Sequence, residues 1–140
     1  MKSYTDIEQS KKLAEILPIE SADMCFNISQ CSNMPPLMTP YSKFNEFFNI
    51  GKTPDFLIPC WSLAALLDVL PIDFVQYKHY FLEVSKMGDI SKPYEVRYYR
   101  FREDWEGADY GRITHISYTA DNPIDACVSM IEELHELKLL

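Results

Sequence analysis

Cys60 is the residue in this chain best suited by type to covalent chemistry. It stands between Pro59 and Trp61, just ahead of an apolar stretch that begins at Ser62. A thiol ahead of a helix start meets unpaired amides and the positive end of the dipole, which favour the nucleophilic thiolate. His79 or His115 would then act as base, with Asp68 or Asp73 to orient it. A free cysteine beside an apolar helix is more often a small core residue, and that reading takes precedence here. Cys60 therefore stands as the one catalytic alternative in a chain otherwise read as non-enzymatic.

A second group of residues suits recognition. Tyr98, Arg100 and Arg102 alternate along one face of an expected strand, and Trp105 and Tyr110 follow in the next hairpin. Tyrosine, tryptophan and arginine are the types enriched at binding hot spots. Arginine between rings also stacks on them internally, so the same group can serve as a cation–π ladder that steadies the sheet. The same group could also stack the bases of a single-stranded nucleic acid. The flanking Glu103, Asp104, Glu106 and Asp109 oppose that use.

Other chemistry finds little support. Three histidines without a spaced carboxylate make no metal site. The four cysteines (25, 31, 60, 127) form no C-x-x-C pair. The four glycines (51, 88, 107, 111) form no phosphate loop. Neither a metal nor a cofactor is expected.

The elements that must position these residues can be read from periodicity. Thr5-Asp6-Ile7-Glu8 is a capping-box pattern with Thr5 as cap, opening a helix that stops before Pro18. Met24 to Ile28 alternates weakly, as a short strand does. From Ser32 to Pro59 five prolines alternate with Tyr41, Phe44, Phe47, Phe48 and Phe56. Proline vetoes long helices and central strands, and so much aromatic area does not stay in water, so 32–59 reads as a long ordered connection. Between Pro59 and Pro71 there is room for one short helix, about Ser62 to Leu70, with Ser62 as N-cap. Leu63, Leu66, Leu67 and Leu70 share a face, and a helix apolar nearly all round is expected to be buried.

Three strands follow, at Phe74–Val84, Tyr94–Arg102 and Arg112–Tyr118. In the second, Tyr94, Val96, Tyr98, Arg100 and Arg102 share one face, with Glu95, Arg97, Tyr99 and Phe101 on the other. In the third, Ile113 and His115 are expected opposite Thr114 and Ile116. Asn122-Pro123 opens a last helix with Ile124, Cys127, Val128, Ile131 and Leu134 as its inner stripe. The apolar ending Leu137 to Leu140 is expected to dock on the core or on a second subunit.

The fold class is α+β: an N-terminal helix, the long connection, then α-β-β-β-α with a three-stranded antiparallel sheet against helices. At 140 residues the chain is expected to be one domain, 1–140. Its formal charge of −8 argues against non-specific contact with nucleic acid or anionic membrane. No apolar run approaches the length of a bilayer span and no signal-peptide core opens the chain, so a cytoplasmic location is expected.

Three stretches together carry a resemblance. They are Glu8-Gln9-Ser10-Lys11-Lys12-Leu13 leading to Glu20-Ser21-Ala22-Asp23-Met24, then Ile58-Pro59-Cys60-Trp61-Ser62-Leu63 through Leu67-Asp68-Val69-Leu70-Pro71, and Asn122-Pro123-Ile124-Asp125-Ala126-Cys127 with the closing Glu/Leu-rich helix. They resemble an uncharacterised family of small proteins frequent in gut Bacteroidetes, their phages and mobile elements. The resemblance covers both ends and the central helix. It implies a compact intracellular α+β domain in a mobile-element setting and assigns no catalytic residue.

The sequence thus points to a non-enzymatic domain that binds another protein, or itself as a homodimer. The alternatives are a cysteine-dependent enzyme centred on Cys60 and a single-stranded nucleic-acid binder. The central helix supplies the first test. Leu66→Asp places a charge where an apolar side chain is required, and the near-ultraviolet circular dichroism of the folded chain should be lost.

Overall fold

Asp6, not Thr5, opens the first helix. In a computed structural model that describes residues 1–29, 35–37, 55–72, 80–88, 91–102 and 111–140, α1 runs Ile7–Ile16. The Asp6 carboxylate accepts from the Gln9 N–H at 2.9 Å, and the Gln9 side chain accepts from the Asp6 N–H at 3.2 Å. The capping box is therefore real but one residue later than the sequence pattern suggests. Thr5 is unavailable as a cap because its hydroxyl lies 2.7 Å from Ser10 Oγ and accepts the Trp61 backbone N–H at 3.1 Å.

The described residues contain three helices and two antiparallel sheets, an α+β fold. Met1–Val69 and Leu70–Leu140 form two compact units.

In the first unit, β1 (Met24–Asn27) pairs antiparallel with β2 (Leu57–Cys60). The sequence reading places no strand at 57–60, because Pro59 cannot donate to a ladder. Its register shows why it is tolerated. Pro59 faces Cys25, whose N–H and C=O are turned the other way, to Leu37 at 3.1 and 2.7 Å. Proline thus occupies a non-hydrogen-bonded position where no donor is required. Both strands are buried along nearly their whole length, so neither shows the alternation of a half-wet strand. Met24, Phe26, Ile58 and Cys60 form a cluster against which Tyr4 and Ile7 pack. Cys31 and most of the 32–59 connection, including the Tyr41 to Phe48 aromatics, lie outside the described residues.

Next comes α2 (Leu63–Val69), capped as expected: Ser62 Oγ accepts from the Ala65 N–H at 3.3 Å. It is not buried all round. Ala65, Leu66 and Leu70 are buried, Leu63 and Leu67 are half-buried, and Ala64 and Asp68, four residues apart, line a wet side. So short a helix can turn its exposed stripe outward on small or charged residues without exposing a leucine fully.

In the second unit, β3 (Phe81–Lys86), β4 (Tyr94–Phe101) and β5 (Arg112–Ala120) form a sheet in that order. The expected 74–84 strand is thus observed from Phe81, and 73–79 lies outside the described residues. Helix α3 (Pro123–Glu136) packs across β4 and β5. Asn122 caps it, accepting from the Asp125 N–H at 3.0 Å, and Pro123 sits in its first turn. Its inner stripe is buried as expected, widened by Ala126 and Met130.

The pairing of β4 with β5 shifts between Tyr98 and Tyr99: Tyr98 faces Ile116, but Tyr99 faces Thr114. His115 is the extra residue of a β-bulge. The bulge brings Ile113 and Ile116 to the same face, correcting the strict alternation expected of β5. Both are half-buried there.

The last turn of α3 closes with paired bonds, Lys138 N–H to His135 O at 2.9 Å and Leu139 N–H to Leu134 O at 2.8 Å. This is a Schellman arrangement, and it puts Lys138 at φ 56°, where glycine is the usual residue. Leu137 at the cap and Leu139 and Leu140 after Lys138 remain 48%, 38% and 40% exposed, so the apolar ending is not sunk in a core. Lys138→Gly relieves the left-handed strain at the cost of a more flexible unfolded chain. It should raise stability by about 0.5–1 kcal/mol, read as a higher urea midpoint.

Candidate functional site

The two faces of the β3–β5 sheet differ in what covers them. Val96 and Tyr98 point to the α3 side and are fully buried. Tyr118, opposite Val96, donates its hydroxyl to the Glu133 carboxylate of α3 at 2.9 Å, and this hydrogen bond pushes the phenol's pKa up. The other face carries Glu95, Arg97, Tyr99 and Phe101 of β4, with Phe81, Glu83 and Ser85 of β3 and Arg112, Thr114, Ser117 and Thr119 of β5 beside them.

On that second face three rings meet. Phe81 stacks on Tyr99 with centroids 5.6 Å apart and planes at 23°. Phe101 meets both edge-on, at 5.5 Å from Phe81 and 5.6 Å from Tyr99. Cross-strand register creates the cluster, because Phe81 lies directly opposite Tyr99 and Tyr99 is two residues from Phe101. The Arg112 guanidinium lies 4.8 Å from the Tyr99 ring and 5.9 Å from Phe101, and Arg97 lies 5.6 Å from Tyr99. Glu83 joins the two cations: Arg97 donates to it at 2.8 Å and Arg112 at 3.4 Å. The hydrogen bond to Glu83 raises the Arg97 pKa further and keeps it charged. Despite this packing, Phe81 and Phe101 are each 47% exposed.

Of the residues singled out from sequence, Tyr98 and Arg100 fall on the other face. Tyr98 is in the core, with its hydroxyl donating to the Pro71 carbonyl at 2.8 Å, and burial pushes its pKa well up. It cannot offer its ring to a partner. Arg100 shares the parity of Tyr98 and is half-buried, while Arg102 is exposed at the strand end. Its backbone N–H bonds to the Gly111 carbonyl at 2.8 Å. Trp105 and Tyr110 lie outside the described residues. Aromatic and arginine residues do meet on β4, but on the face of Tyr99 and Phe101. The missed members, Phe81 and Arg112, come from neighbouring strands, and only the alternation of β4 hinted that Arg97, Tyr99 and Phe101 would align.

Cys60 belongs to a different setting. It ends β2, three residues ahead of the first residue of α2, with no exposed surface. Thr5 Oγ1 is 3.6 Å from its sulfur, which in turn points to the Thr5 carbonyl at 3.6 Å. Burial pushes the thiol up to about 11, against a smaller lowering by Thr5 and Ser10. At neutral pH it is a protonated core thiol, neither accessible nor nucleophilic. Of the proposed bases, His115 is exposed on β5 with its ring 5.2 Å from Tyr80, and His79 lies outside the described residues. Asp68 is exposed on α2, and Asp73 is not described. Among the described residues no group of three or more His, Cys, Asp or Glu could hold a metal ion. None of their helices is long and apolar enough to cross a membrane.

Compared with protein-family models, curated proteins and solved structures, the chain finds no match.

The thiols give a pH prediction. Cys25, Cys60 and Cys127 are all buried, and burial raises each pKa, to about 11 for Cys60 and about 12 for Cys127. Above the ordinary value of 9.0 the unfolded chain releases these protons while the folded chain still holds them. Stability is therefore intact below about pH 9 and falls as pH rises toward the folded values. The urea midpoint should drop between pH 9 and 11, and less steeply in Cys127→Ala. At pH 8 an aromatic disulfide reagent should leave Cys60 untouched until urea unfolds the chain.

Proposed function

We propose that this chain is a non-enzymatic intracellular protein-binding domain of the accessory or inhibitor kind, acting through the sheet face that α3 leaves uncovered. The observation that carries the reading is the Phe81–Tyr99–Phe101 cluster with Arg112. Two large rings are held rigidly by sheet register yet left about half in water. Rigid aromatic anchors lose little conformational entropy on binding, and aromatic and arginine side chains dominate interface energetics. The partner is another protein or a second copy of the chain. The phage or mobile-element setting, and with it an intracellular site of action, is supported by the sequence resemblance alone.

A second reading rests on the same rings. Exposed aromatics on a sheet beside arginines suit stacking by the bases of a single-stranded nucleic acid. The overall charge of −8 and the pairing of both arginines with Glu83 weigh against it. The burial of Cys60 weighs against a cysteine-dependent enzyme.

The test separates surface from core. Phe81→Ala with Phe101→Ala should cost about 1–2 kcal/mol of stability, leave the circular dichroism unchanged, and abolish co-purification of the native partner or dissociate a self-dimer. Tyr98→Ala, a core truncation, should instead cost about 3–5 kcal/mol. If the double variant retains its full partner set and its solution mass, the surface is wrong. Binding to short oligonucleotides that weakens steeply with salt would favour the second reading.

A further inference from the structure

No further inference is drawn: the strongest candidate, the exposed Phe81–Tyr99–Phe101 cluster on the sheet face opposite α3, belongs to the surface already described, and with Arg97 and Arg112 both paired to Glu83 nothing in the structure shows what covers it.

Discussion

Trp61 can be fully buried because each of its polar groups is met. Its carbonyl accepts the Thr5 N–H at 3.0 Å, its N–H reaches Thr5 Oγ1, and its indole N–H donates to Ser21 Oγ at 2.9 Å. Ser21 in turn donates to the Pro18 carbonyl at 2.6 Å. A buried tryptophan carries a large apolar area, but an unmet indole or amide donor would cost about 1–3 kcal/mol. Meeting all three donors and acceptors draws together the N-terminal segment, the turn after α1 and the end of β2. The next residue extends the node: the Asp23 carboxylate accepts the Ser62 N–H at 2.9 Å and its hydroxyl as well, fixing the residue that caps α2. Helix start, strand end and chain entry in the first unit thus share one polar network around one ring.

The second unit depends on a different constraint, the two-sidedness of a sheet. Once α3 covers Val96 and Tyr98, every alternate residue of β4 is committed to the opposite face. That parity puts Tyr99 and Phe101 together, and pairing with β3 adds Phe81 and Glu83. The bulge at His115 adjusts β5 so that Ile113 and Ile116 both serve the covered side, while Arg112 reaches the uncovered one. One extra residue therefore does two jobs, filling the face under α3 and placing a guanidinium over the rings.

The uncovered face is largely self-contained. Each ring contact contributes on the order of 0.5–1.5 kcal/mol, and the partly exposed Arg97–Glu83 pair less than about 1 kcal/mol. These contacts hold the rings in a fixed arrangement on the sheet. Glu83 and Glu95 together balance the charges of Arg97 and Arg112 on this face, so it carries little net field of its own.

Much of the architecture was legible in the chain. Pro18 ended α1, Ser62 capped α2, Asn122-Pro123 opened α3, and alternation marked β4, because caps, prolines and periodicity act over a few residues. The capping residue of α1 was not, since Thr5 and Asp6 both fit the local pattern and the Thr5 hydroxyl is engaged by Ser10 and by the distant Trp61 and Cys60. Nor was β2, because whether a proline is tolerated in a strand depends on which way its neighbour's amide points. The site divides in the same way. Sequence alone determined that aromatic and arginine residues would alternate along β4, as the two-residue period of a strand is intrinsic to the backbone. Which face is buried was decided only by where α3 packs, and which rings join the cluster only by strand register, because both are set by residues far away in the chain.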